Sequence, residues 1–182
     1  MNVFHRRPQK SAVLRVLPAL ALSVLLVLSG CVAGIGGPSD QRGPVGLNVT
    51  NAANITYTFG VSVVELPANA TVRRSDGLTG TVDLGAGGIA TNNPGDNFTY
   101  TTVKLPDSAR HHGQYTLKPG WTNRSNISDL PEDFAVVITV RNNGNNVVSW
   151  VSSTCSGDLV YLRVTMRHYG SDSAYDCDEG AF

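Results

Sequence analysis

Apolar and polar residues alternate along much of this chain with the period of two that marks half-buried strands. Residues 47–50 (LNVT) show it first. Residues 55–66 (ITYTFGVSVVEL) then place Tyr57, Phe59, Val61 and Val63 on one face. Residues 79–84 and 97–105 (NFTYTTVKL) are further strand candidates, the second with Phe98, Tyr100 and Thr102 aligned. Residues 134–140 (FAVVITV) are almost continuously apolar, as expected of a central strand. Residues 147–154 follow Asn142-Asn143-Gly144-Asn145-Asn146, a strong hairpin signal, and residues 159–168 follow Ser156-Gly157-Asp158. The last three strands are therefore predicted to form an antiparallel meander. The one helical hint, residues 125–133, is limited by Pro131 to a short turn. About seven to nine strands separated by turn signals predict an all-β fold. The expected architecture is an antiparallel β-sandwich, immunoglobulin-like in the loose sense, with Trp150 packed near Cys155.

The N-terminus follows a different pattern. Arg6, Arg7, Lys10 and Arg15 precede an apolar run over residues 16–28 (VLPALALSVLLVL). A basic segment followed by a short apolar one reads as a signal peptide. The run is too short for a spanning helix, and Pro18 interrupts it. Leu28-Ser29-Gly30-Cys31 closes it with two small residues and a cysteine, the pattern of a lipobox. Its thiol is the group that would receive a diacyl or diether lipid. Arg6-Arg7 resembles a twin-arginine export signal, with the general secretory route as the alternative. Residues 32–46 (VAGIGGPSDQRGPVG) read as a flexible tether. The expected organisation is a signal peptide over 1–30, a lipidated Cys31 with its tether over 31–46, and a β-sandwich over 47–182. The expected address is the extracellular face of the cell membrane.

This division changes the charge. Formal neutrality rests on 14 basic and 14 acidic residues, and four basic ones lie in the signal peptide while all acidic ones follow it. Removing the four leaves a net charge of −4, with no basic stripe of the kind that binds nucleic acid. The division also accounts for an odd cysteine count. Of three cysteines, Cys31 takes lipid, which leaves Cys155 and Cys177 to pair in an oxidising compartment. Closing that loop is worth roughly 3 kcal/mol. A metal role is weaker, because neither has a second Cys or His at ligand spacing.

Six Asn-X-Ser/Thr sequons occur, at Asn48, Asn54, Asn69, Asn97, Asn123 and Asn126. Asn123 and Asn126, expected in a loop after Trp121, are the best glycosylation candidates. Catalytic chemistry is harder to find. His111-His112 are adjacent, so in an extended segment they point opposite ways; His168 would have to join one of them to bind a metal. Cys155, Met166 and His168 have the wrong order for a copper loop. Asp176-x-Asp178-x-Gly180 only faintly echoes a calcium loop, and Asp172, Asp176, Asp178 and Glu179 read as a solvated acidic tail. Arg163 and Arg167 are placed to pair with it. Glu65, Asp83 and Asp133 are isolated carboxylates, and no nucleophile elbow, zinc-protease or phosphate-loop motif occurs.

The lipobox, the ITYTFGVSVVELP segment and the stretch from DLPEDFAVVITV through SWVSSTCSGDLVYLRVTMRHYGSDSAYDC together resemble small lipoproteins of halophilic archaea. The resemblance implies a surface lipoprotein with a sandwich domain and carries no catalytic residues. The leading expectation is a non-enzymatic module, needing no cofactor, that binds or supports an envelope protein or a glycan. One alternative is a metal or redox sandwich using His111, His112 and His168. The other is an extracellular solute-binding or hydrolytic domain.

Overall fold

A computed structural model describes residues 43–91, 97–168 and 170–178, and among these there is no helix. Twelve strands follow in order: β1 (Val45–Asn51), β2 (Tyr57–Glu65), β3 (Asn69–Arg74), β4 (Thr79–Asp83), β5 (Gly88–Thr91), β6 (Tyr100–Lys104), β7 (Arg110–Leu117), β8 (Thr122–Ile127), β9 (Phe134–Arg141), β10 (Val147–Ser153), β11 (Asp158–Arg167) and β12 (Gly170–Asp178). They build a four-stranded sheet in the order β12-β11-β1-β8, a five-stranded sheet β5-β10-β9-β2-β7, and a three-stranded sheet β4-β3-β6. The first strand starts at Val45, two residues before the expected domain boundary, because Val45 is itself fully buried.

Period-two alternation explains how the sheets stack. Val45, Leu47 and Val49 of β1 and Leu162, Val164 and Met166 of β11 turn inward. They meet Tyr57, Phe59, Val61 and Val63 of β2 and Phe134, Val136, Ile138 and Val140 of β9. This is the sandwich core between the four- and five-stranded sheets. The opposite face of the five-stranded sheet supplies Val64, Ala135, Val137 and Trp150 to a second cluster, capped by Ala70, Val72 and Val103 of the three-stranded sheet. The continuous apolar run in β9 is thus explained, since both its faces are covered. Burial also pushes the Tyr57 hydroxyl pKa above its ordinary value.

The expected hairpin between β9 and β10 is present. Asn142 Oδ1 accepts from the backbone N–H groups of Gly144 and Asn146, and Asn145 adopts a positive φ of 59°.

Three expectations are corrected. The last strands do not form a meander, because β11 leaves the five-stranded sheet and pairs with β1 in parallel and with β12 antiparallel. Its buried Leu162, Val164 and Met166 face the core from the other side. The helical hint dissolves: residues 122–127 are an edge strand, and Asp129 with φ 57° ends the extended run. Trp150 packs in the second cluster, whereas Cys155 packs against the first. Val151 of the same strand faces the sandwich core, so its neighbour Trp150 must face away.

Candidate functional site

Cys31, the signal peptide and the tether up to residue 42 lie outside the described residues. The two remaining cysteines form a disulfide with a Cα–Cα distance of 5.9 Å. It ties the β10–β11 crossover to the end of β12.

The structure sorts the sequons. Asn54, Asn69, Asn97 and Asn126 are exposed, and Asn48 is half-buried. Asn123 and Asn126 lie in β8, not in a loop, and the strand turns them to opposite faces. Asn123 Oδ1 is buried and has no hydrogen-bond partner among the described residues. That orientation makes Asn123 a poor acceptor and leaves Asn126 the better of the two.

The histidines do not converge. His111 and His112 lie at the start of β7, both exposed, at the bulge where the β2–β7 register shifts. The side chain of His168 sits 3.3 Å from Asn54 Oδ1, near the far end of β7, where Asn51 binds both Ile55 O and Leu117 O. The length of β7 separates the two regions by about 20 Å. Met166 is buried in the sandwich core and Cys155 is consumed by the disulfide. Among the described residues no group of three or more His, Cys, Asp or Glu side chains is placed to hold a metal.

The acidic tail is instead a strand as far as Asp178. Asp172 forms an ion pair with Arg167. Asp83 caps the following turn by accepting from Gly85 N–H at 2.8 Å. A notch beside Glu132 and Asp133 encloses only about 10 Å³, room for a water molecule at most.

Two larger concavities lie among the described residues. The first, of about 440 Å³, lies on the outer face of the four-stranded sheet. There Asn48 sits between Arg124 of β8 and Arg163 of β11, and Thr50 between Thr122 and Thr165. The Tyr161 ring lies across Gly46, where a Cβ would meet its Cδ2 at 3.0 Å. A larger residue at position 46 would lift that ring.

The second, of about 340 Å³, opens between the lateral edges of the two larger sheets. Ser152, Ser153 and Thr154 line one wall, and Ser173 and Tyr175 of β12 the other. Ser152 Oγ donates to Leu84 O at 3.0 Å, and Thr154 Oγ1 donates to Phe134 O at 2.9 Å. Ser153 is 2% exposed, and its hydroxyl has no partner among the described residues. Sequence reasoning passed over this site. The available signal was the run Ser149, Ser152, Ser153 on a strand that otherwise reads as core. All three are buried.

Comparison with family models, curated proteins and solved structures finds no match to this chain.

Proposed function

We propose that this chain is an exported lipoprotein, held to the outer face of a membrane through Cys31, whose β-sandwich binds a partner outside the cell and performs no reaction itself. The observation that carries the reading is the Cys155–Cys177 disulfide. It uses both cysteines of the folded domain, so the third, Cys31, is left at the end of a signal-peptide pattern. Disulfides persist in oxidising, extracytoplasmic compartments, which agrees with export. The resemblance to small lipoproteins of halophilic archaea points the same way. Binding in place of catalysis is supported by the scatter of ionisable side chains: among the described residues neither large concavity gathers an acid and a base. Exposed Asn54, Asn69, Asn97 and Asn126 are then the sequons available for glycosylation.

Intact mass spectrometry of the membrane-extracted protein tests the address. The expected mass lacks residues 1–30, carries added lipid on Cys31 and includes one disulfide. A mass that retains the N-terminus overturns the reading.

A further inference from the structure

We infer that the hydroxyl-lined cleft between β10 and β12 is a binding site for a neutral saccharide. The inference rests on the reading of the domain as an outward-facing binding module, and it gives that module a ligand class and a place.

Side-chain direction along β12 sets the lining of the cleft. Ser171, Ser173, Tyr175 and Cys177 pair with Met166, Val164, Leu162 and Leu159 of β11, all buried. Cross-strand partners share a face, so this row of β12 turns toward the interior of the sandwich. Inward positions of a sandwich are ordinarily apolar. Here one row changes from apolar in β11 to polar in β12, and the sheets do not close on each other. Two clamps hold the gap. At one end Ser149 Oγ and Ser171 Oγ are hydrogen-bonded at 2.5 Å. At the other stands the Cys155–Cys177 disulfide. Ser173 and Tyr175 lie between the clamps, facing Ser153 and Thr154. The cleft is therefore framed before any ligand arrives, and little ordering entropy is lost on binding.

The lining selects the chemistry. It holds no carboxylate, guanidinium, amine or imidazole, so a charged ligand would lose hydration with no counter-charge in the lining. Hydroxyls both donate and accept, which matches a polyol whose own groups do both. The buried Ser153 hydroxyl lacks a partner among the described residues, and a ligand hydroxyl would supply one. Tyr175 is 51% exposed at the mouth, where its ring offers an apolar face to the C–H side of a pyranose. Ala86, Gly87 and Gly88 form the third wall, with one methyl group as its only side chain. Gly87 and Gly88 adopt φ values of 63° and 148°, which other residues rarely reach. A volume of about 340 Å³ suits a glycan end or a short stretch of one.

The test uses the membrane-extracted lipidated protein in detergent and isothermal titration calorimetry. The probes are cellotetraose, maltotetraose, mannotetraose and tetra-N-acetylchitotetraose, with tetragalacturonate as the charged comparator. At least one neutral probe is expected to bind. Tyr175→Ala and Ser153→Ala should each weaken it about tenfold. Ser153→Ala should unfold at the same or higher denaturant concentration than wild type, because an unpaired buried hydroxyl is removed. Arg124→Ala, on the outer face, should bind as wild type does. Failure of every neutral probe overturns the inference, and so does binding that neither cleft variant weakens. Binding of tetragalacturonate alone, lost in Arg124→Ala, moves the site to the outer face and overturns it too. The mass of Cys31 in the same preparation is an independent readout, so the anchor and the saccharide site can fail separately.

Discussion

Asn51 is fully buried at the end of β1, a costly place for an amide unless every polar atom is used. It is used completely. Nδ2 donates to Ile55 O and Leu117 O at 2.8 Å each, and Oδ1 accepts from Ala53 N–H at 3.1 Å. Its backbone N–H donates to Trp121 O, and its carbonyl accepts from Gly120 N–H. One residue therefore joins the β1–β2 loop to the β7–β8 loop, at the same end of the sandwich as His168. Asn51→Ala strands two carbonyls and an amide, and should cost about 3 kcal/mol in denaturant unfolding. Asn51→Asp keeps the acceptor but removes both donors and buries a charge, so it should cost more than the alanine. A loss below about 1 kcal/mol for Asn51→Ala would mean that water replaces the amide and the loops do not depend on it. Residue type alone does not separate this asparagine from Asn48, which lies on the outer face. Position within the alternation does: Asn51 falls on the same face as Val45, Leu47 and Val49.

At the scale of elements, the disulfide and β12 act together. Cys155 follows the last residues of β10 and Cys177 pairs with Leu159 across β11, so the bond fixes the chain where it passes from one sheet to the other. The two cysteines are 22 residues apart, and the chain-entropy picture assigns such a closure about 3 kcal/mol. Reduction, or the double substitution Cys155→Ser with Cys177→Ser, should lower unfolding free energy by about that amount. If the loss is under about 1 kcal/mol, the β11–β12 ladder alone holds the edge. Three elements that escape sequence reading, β7, β8 and β12, share one property: each is the edge strand of its sheet. Strands β2, β9, β10 and β11 were legible because each buries several apolar residues in alternation or on both faces. By contrast, β8 (TNRSNI) buries only Ile127, and β7 (RHHGQYTL) only Leu117. An edge strand needs few apolar residues, because its backbone ladder on one side and water on the other satisfy it. β12 hides for the same reason, and its Asp172, Asp176 and Asp178 read as a tail. The parallel β1–β11 pairing was not legible either, since alternation reports which face is buried and never which neighbour is chosen. The cleft inherits both gaps: it needs β12 as a strand and β11 in the opposite sheet before Ser173 and Ser153 can face each other.

For the whole molecule, the decisive feature is that one sheet serves two cores. The five-stranded sheet packs the four-stranded sheet on one face and the three-stranded sheet on part of the other. The first core draws on β1, β2, β7, β8, β9, β10 and β11, the second chiefly on β3, β6, β9 and β10. These cores are unequal. Val64, Ala135, Val137 and Trp150 are covered by a small sheet whose β4 is exposed at nearly every position. Opening that sheet exposes the smaller core and leaves the sandwich ladders intact. Native-state hydrogen exchange should therefore show two levels. The amides of β9 and β2 should exchange only with global unfolding, because β9 is central and covered on both faces. The amides pairing β3 with β4 and β6 should open at a free energy about 2 kcal/mol or more lower, with a smaller denaturant dependence. Equal free energies and equal denaturant slopes in both groups would show one cooperative unit and reject the division. The cleft is framed by β10, β12 and the turn into β5, with its two clamps on the side of the larger core. Its frame should therefore survive the lower-energy opening. Ser152 is the link between the two, because its hydroxyl donates to Leu84 O, and Leu84 belongs to the smaller core. Exchange at Ser152 and Gly88, which face each other across β10 and β5, reports whether the wall of the cleft moves with the small sheet or stays with the sandwich.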